Sequence, residues 1–379
     1  MIEISVIVPV YKGKKYIEEI ICQIERNSEK FEHGKIELIF VNDYPCERIE
    51  PRKSALISVV VFNSDINRGI QGARIKGCEL CNGKYIVLLD QDDVITDDYI
   101  KSQYENIVRN AADVSVCQAM ENGRQIYNAA NKFENIGNRD YMLSFINPIV
   151  SPGQAMIKKD AIPPVWKNNI VEHNGADDWL LWLGLLSDKK KFVLNEKLLF
   201  EHIVDGSNTS WNSVNMLLSE RDVLTAVKKE NIFQNDELQK LNELITTEEF
   251  RYIRILEKYR QMFFVYDRWM NLEIKYGGIA DHIYNLGYRT VSVYGYGYIG
   301  KALTKKIRKS SLNFVSAIDI NAEFINEEIK ITTLSDFNEN VDLIIVTASL
   351  SESELDQIRQ KAPVLTIQQL LDEWENEAG

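Results

Sequence analysis

The chain has 379 residues, 45% hydrophobic and 26% charged, enough to build two or three globular cores. Its 44 Lys and Arg against 56 Asp and Glu leave a net charge of −12, which excludes a protein that coats nucleic acid or anionic lipid through a broad positive field. No apolar run approaches the roughly 18 residues that a membrane span needs, and the opening stretch, interrupted by Glu3 and lacking a basic segment, reads as a strand and not as a signal peptide.

Residues 4–10 form a continuous β-branched run that suits a strand buried on both faces. Ile17, Ile20, Ile21 and Ile24 then recur at helical spacing within 14–26. Buried strands are predicted at 36–41 and 57–62, a helix at 70–81, and a fourth strand at 85–89 that stops at Asp90. Such repeated βα units predict a mostly parallel sheet flanked by helices, with ligands at the carboxyl ends of the strands. Cys78 and Cys81 fall on the predicted helix with no second pair to complete a zinc site. The five cysteines therefore read as reduced thiols of a cytoplasmic protein, where the Asn208-Thr209-Ser210 sequon has no bearing.

From 211 to 286 charged and apolar residues interleave at helical spacing, as in Leu238, Leu241, Leu244 and then Tyr252, Ile255, Leu256, Tyr259. This predicts two to four helices in a connecting layer. Its aromatic group, Phe263, Phe264, Tyr266 and Trp269, is expected to pack on a domain and not on a membrane, because few cations stand opposite it. From Arg289 the βα alternation restarts, with strands at 290–294, 313–318 and 341–347, a helix ending at Arg308 and a last helix holding Leu370 and Trp374. The predicted organisation is an α/β domain over 1–211, a helical connector over 212–286 and a small α/β domain over 287–379.

Four places in the first domain gather polar residues: Pro9-Val10-Tyr11, Asn42-Asp43-Tyr44, the loop Asn67-Arg68-Gly69 with Gly72-Ala73-Arg74 behind it, and Asp90-Gln91-Asp92-Asp93. Three carboxylates in four residues repel one another and resist burial. Directly after the apolar stretch 85–89 they are best relieved by a hard divalent cation, Mg²⁺ or Mn²⁺, shared with a substrate diphosphate. A solvated acidic turn that caps the next helix is the alternative.

The stretches Ser5-Val6-Ile7-Val8-Pro9-Val10-Tyr11, Asn67-Arg68-Gly69 with Gly72-Ala73-Arg74, and Gly83-Lys84-Tyr85 through Asp90-Gln91-Asp92-Asp93 resemble, in order and spacing, family 2 glycosyltransferases of the GT-A fold. The resemblance runs from residue 4 to about residue 210 and implies roles. Pro9, Tyr11, Asp43, Arg74, Asp90 and Gln91 would bind a nucleotide-diphosphate sugar, with Tyr11 against the base, Asp43 accepting a uracil or thymine N3–H, and Asp90 on the ribose. Asp92 would hold the metal on the diphosphate, and His202, before the loop Asp205-Gly206-Ser207-Asn208, would join it or bond the diphosphate. The acidic pair Asp177-Asp178 opens a helix where the family places its base, so Asp178 would be catalytic; the alternative is a pair that only favours the helix N-terminus. One departure is plain: the family's Asp-Asp-Gly-Ser is replaced by Asn42-Asp43-Tyr44-Pro45. Arg268-Trp269 lacks the glutamine of the Gln-x-x-Arg-Trp motif found in processive synthases, which points to single additions. Ser151-Pro152-Gly153-Gln154 reads as the edge of the acceptor floor.

In the last domain a strand runs into Gly295-Tyr296-Gly297-Tyr298-Ile299-Gly300, and Asp319 ends the next strand nineteen positions later. Such a loop opening a helix is the dinucleotide-binding fingerprint and marks this as a small Rossmann-like domain. An NAD(P) ligand, a sugar nucleotide and an empty scaffold all remain open for Gly295, Gly297, Gly300 and Asp319, the scaffold preferred because no hydride-transfer residues follow.

The sequence thus predicts a metal-dependent inverting glycosyltransferase. Its donor would be a UDP-sugar or TDP-sugar, and its acceptor a hydroxyl on a glycan or lipid-linked chain of a bacterial surface polysaccharide. It would work in the cytoplasm or peripherally at the inner face of the membrane, without nucleic acid. An NAD(P)-dependent oxidoreductase or epimerase of sugar nucleotides, and a non-catalytic sugar-nucleotide-binding protein, are the competing classes.

Overall fold

The structure, a computed structural model, describes residues 1–127, 132–204 and 213–378. The chain forms two compact units, Met1–Tyr252 and Ile253–Gly379. Among the described residues no helix is long and apolar enough to cross a membrane.

The first unit is built on nine strands: β1 (Ile2–Val10), β2 (Lys35–Asn42), β3 (Ser58–Asn63), β4 (Tyr85–Leu88), β5 (Val94–Ile95), β6 (Val114–Glu121), β7 (Arg124–Gln125), β8 (Ala155–Lys158) and β9 (Phe192–His202). Their order is β3-β2-β1-β4-β8-β6-β9-β5, with β7 paired to β6. The run β3-β2-β1-β4 is parallel, and β8 enters antiparallel beside β4. Register sets Val10 opposite Asn42 and Ile7 opposite Leu88, so β1, β2 and β4 bring their carboxyl ends together along one edge. The arrangement is an α/β fold with a largely parallel sheet flanked by helices, as the sequence predicts. Strands and helices form where apolar periodicity dictates. Ile17, Ile20, Ile21 and Ile24 face a core with Val6, Val8 and Leu38, while Ile7, Ile39 and Ile86 face a second core with the Asp177–Ser187 helix on the other side of the sheet. That helix is buried nearly all round, which is why its apolar run shows no amphipathic period.

The second unit carries β10 (Thr290–Tyr294), β11 (Asn313–Ile318), β12 (Ile331–Thr332), β13 (Leu343–Val346) and β14 (Val364–Thr366). They pair in the order β12-β11-β10-β13-β14, all parallel. This order reverses direction at β10, the point where doubly wound sheets leave a crevice.

The helices Ser213–Lys229, Asn235–Tyr276 and Ile279–Asn285 occupy the expected connecting layer. Rather than forming a third body they are divided between the two cores. Leu241 and Ile245 belong to the first unit's core, and Val265, Trp269 and Leu272 to the second's, so the division falls inside a single 42-residue helix. The aromatic group splits with it: Trp269 is buried while Phe263 and Phe264 stay exposed.

Candidate active site

The joined strand ends open onto a cleft of about 680 Å³, within the range of small-molecule sites. Pro9, Tyr11, Asp43, Arg74, Asp90, Gln91, Asp92, Asp178 and His202 all line it. Residues far apart in sequence are therefore brought to one concavity, though they do different things there.

Tyr11 follows β1, and its backbone is clamped by one side chain. Gln91 Oε1 accepts its N–H at 3.0 Å, and Gln91 Nε2 donates to its carbonyl at 3.3 Å. Gln91 thus acts on the cleft through Tyr11. Gly13 is required by the same clamp, since a Cβ there would lie 1.9 Å from Gln91 Oε1. The Tyr11 ring meets Tyr44 edge to face at 5.3 Å, with Lys12 near both rings. Tyr44 is the residue that stands where the family pattern has glycine, so the departure adds an aromatic beside Tyr11.

Asn42 turns inward, donating to Glu47 O and Asn63 Oδ1, and ties down the loop after β2. Asp43 stays at the cleft, both oxygens accepting the Arg68 N–H at 2.8 and 2.9 Å. Burial raises its pKa against these backbone donors.

The acidic run after β4 is resolved into three different environments. Arg74, itself buried, donates Nη2 to Asp90 Oδ1 at 2.5 Å and Nη1 to Asp177 Oδ2 at 2.8 Å. Burial disfavours the guanidinium charge, but Asp177 and Asp90 outweigh it and hold Arg74 protonated. Arg74 therefore bridges β4 to the Asp177–Ser187 helix, a role the sequence did not disclose. Asp93 is buried, accepting from Ser151 Oγ at 2.8 Å and facing His202 Nδ1 at 2.8 Å. Burial lowers the His202 pKa, but Asp93 overrides it and the net shift is upward. Asp92 is left: no side chain among the described residues hydrogen-bonds its carboxylate. Burial and the neighbouring charges of Asp90 and Asp93 raise its pKa to about 6.

These environments bear on the implied cation. Among the described residues no three His, Cys, Asp or Glu side chains are grouped to hold a metal by themselves. Asp92 offers a hard oxygen bonded by no side chain among the described residues, and His202, whose charge works against the rise in the Asp92 pKa, has a second ring nitrogen beyond the Asp93 bond. A histidine braced by a carboxylate is the usual arrangement behind a ligating imidazole. Two protein ligands completed by diphosphate oxygens suit Mg²⁺ or Mn²⁺, so the residues fit a cation that arrives with its substrate. The loop Asp205-Gly206-Ser207-Asn208 lies outside the described residues.

Asp178 opens the Asp177–Ser187 helix and is buried. Its Oδ2 accepts from Asn147 Nδ2 at 2.8 Å and its Oδ1 from the Trp179 N–H at 2.9 Å. Burial and the Asp177 charge raise its pKa to about 7, against Arg74 and Asn147. A carboxylate poised there can take a proton at neutral pH. Asn147 lies in a stretch without periodicity and adopts φ +49°, so no sequence signal announced it. Ser151, read from the sequence as the edge of the acceptor floor, lines the cleft and also braces Asp93.

In the second unit the glycines serve packing. A Cβ on Gly300 would lie 2.0 Å from Gly295 O, and one on Gly295, whose φ is +89°, 2.9 Å from the Ala348 Cβ. A Cβ on Gly297, which caps the Tyr298–Ile307 helix, would meet no atom within 4 Å. Asp319 Oδ2 accepts the Tyr296 N–H at 2.7 Å and its Oδ1 the Asn321 N–H at 2.9 Å, so the acid fastens the loop to β11.

Residues 5–165 match the profile described as Glycosyl transferase family 2. The chain is 31% identical over 117 residues to glycosyltransferase GlyA of Streptococcus pneumoniae, covering 30% of this chain and 16% of that protein. It is 27% identical over 256 residues to the minor teichoic acid biosynthesis protein GgaB of Bacillus subtilis, covering 60% of this chain and 27% of the relative. The chain thus spans less than a third of the length of these two curated relatives. Among solved structures, residues 1–349 of S. aureus TarS in complex with UDP-GlcNAc superpose with a TM-score of 0.48 at 16% identity, over 64% of this chain and 72% of that one.

Proposed function

From the match of residues 5–165 to glycosyl transferase family 2 we propose that the chain is a metal-dependent, inverting glycosyltransferase of that family. The observation that carries the reading is a division of labour within one cleft. Asp178, with its pKa raised to about 7, and Asp92, bonded by no side chain among the described residues, line it together with Asp43 and Tyr11.

The donor is a UDP-sugar or TDP-sugar. Tyr11 and Tyr44 flank the base and Asp43 accepts its N3–H. Asp178 removes the acceptor hydroxyl proton as that oxygen bonds to the anomeric carbon from the face opposite the diphosphate. The carbon–oxygen bond to the diphosphate breaks, the nucleoside diphosphate leaves, and configuration inverts. A bound Mg²⁺ or Mn²⁺ supplies Lewis-acid stabilisation of the leaving phosphate, and Asp92 with the free ring nitrogen of His202 would hold it. Asn147 keeps the Asp178 carboxylate aimed, and Arg74 holds the helix bearing it against β4.

A relative named for teichoic acid biosynthesis supports a glycan or lipid-linked acceptor of a surface polymer, made on the cytoplasmic side where nucleotide sugars are available. In the second unit we read the glycine loop as a scaffold, because the acid that would meet a ribose is engaged by two amides of its own chain. A panel of nucleotide sugars tests the whole reading. Metal-dependent release of nucleoside diphosphate, lost in Asp92→Asn and in Asp178→Asn, is the expected result. Undiminished turnover in both variants removes the proposal, and binding without turnover in the wild-type chain assigns it to the non-catalytic class.

A further inference from the structure

The Asn235–Tyr276 helix presents an apolar face that the second unit does not cover. Val265, Trp269 and Leu272 point into that unit's core. About half a turn away, Leu256, Tyr259, Phe263, Tyr266 and Met270 follow one another at alternating spacings of three and four, and Ile274 extends the face by one further step of four. Phe263 is 64% exposed and Ile274 81%, while Leu256, Tyr259 and Met270 are each at least half exposed. Tyr266 is half-buried, its hydroxyl donating to Tyr298 O at 2.8 Å. Scattered apolar side chains on a surface need no explanation, but a contiguous stripe does. From Leu256 to Met270 the spacing is that of a coiled-coil seam, within a stripe roughly 27 Å long between Leu256 and Ile274 at 1.5 Å per residue.

The flank of the stripe says what covers it. Arg260 and Asp267 stand one heptad apart on the same edge with opposite charge. When two such helices run antiparallel, with Phe263 against Tyr266 and Tyr259 against Met270 of the partner, each Arg260 faces Asp267 of the partner subunit, and the edge is complementary to itself. Both groups are exposed, with only local pairing, Arg260 to Glu257 at 3.0 Å and Asp267 to Asn271 at 3.4 Å, so they are able to exchange partners. A lipid surface would want cations alone along that edge, and a chain of net charge −12 is repelled from anionic leaflets. We infer that residues 256–274 are the seam of a two-fold, antiparallel pairing between two copies of this chain.

Sedimentation equilibrium on the full chain tests the pairing. The wild type is expected to sediment as two chains, and Leu256→Glu with Phe263→Glu as one, with unchanged circular dichroism because both positions are exposed. Arg260→Glu and Asp267→Lys, made singly, should each raise the dimer dissociation constant roughly tenfold, and together restore it. A wild type that stays single overturns the inference, and co-flotation of that single chain with phosphatidylserine vesicles would transfer the stripe to a membrane. A dimer that survives the two glutamates overturns it as well. Loss of pairing without rescue by the double charge exchange removes the antiparallel register, and with it the proposal.

Discussion

Two strand ends in this molecule carry acids at the carboxyl edge of a parallel sheet, and they differ in what the acids face. After β4, Arg74 answers Asp90 and His202 answers Asp93, which leaves Asp92 in the cleft with its pKa raised to about 6. After β11, Asp319 is answered by the amides of Tyr296 and Asn321. The same kind of local signal therefore has opposite consequences. Asp92 faces the cleft with no side chain among the described residues bonded to its carboxylate, whereas Asp319 fastens its own loop.

The sharpest break of that contrast lies beside the first strand end. Asp178→Asn keeps the shape of the side chain and removes the base, so turnover should fall by about 10²–10⁴-fold while nucleotide-sugar binding, read by calorimetry, is retained. A smaller loss would move the base elsewhere. In the second unit the opposite outcome is expected. Asp319→Ala strips two amides of their acceptor and should cost about 1.5–3 kcal/mol of stability in denaturant unfolding, with donor turnover unchanged. Lost turnover at full stability would make Asp319 a ligand residue after all.

The pH dependence sharpens the comparison further. On the proposed mechanism Asp178 works as the deprotonated form, and its pKa stands at about 7. Below that value kcat/KM should fall about tenfold per pH unit, and it should level off above it. A profile flat between pH 5 and 8, to about one unit at either end, would argue against Asp178 as the base. The smallest effect concerns an acid of the first unit outside the cleft. Glu220 is buried, and burial, followed by the charges of Glu248 and Glu249, raises its pKa to about 7. Its folded-state value lies above the unfolded one, so the stability it contributes is full below about pH 4.5 and is lost as pH rises through 7. Glu220→Gln cannot ionise, and its melting temperature should exceed that of the wild type by a margin that opens across this window and is constant above it. A constant margin at all pH values would point to packing instead.

The first unit was readable from sequence because β1, β2 and β4 are buried on both faces and so appear as unbroken apolar runs. Most cleft residues were readable because they follow such a run or open a helix, while Arg74 lies within the Gly69–Leu80 helix. What escaped has no local signature. Arg74 faces Asp177 across 103 positions, and Asn147 reaches Asp178 from a loop in a left-handed conformation. Tyr44 looked like a loss against the family pattern until its ring met Tyr11. The division at residue 252 was hidden because no glycine or proline interrupts the helix that contains it. The aromatic cluster was expected to pack as one, yet period 3.6 sends Trp269 inward and leaves Phe263 and Phe264 outside.

The guanidinium of Arg74 acts as a spacer of fixed length. One end holds Asp90 after β4 and the other holds Asp177 at the start of the helix that carries Asp178. On the proposed mechanism, changes in the loops around the cleft would alter which sugar or hydroxyl is admitted while Arg74 keeps the spacing between the leaving-group side and the base.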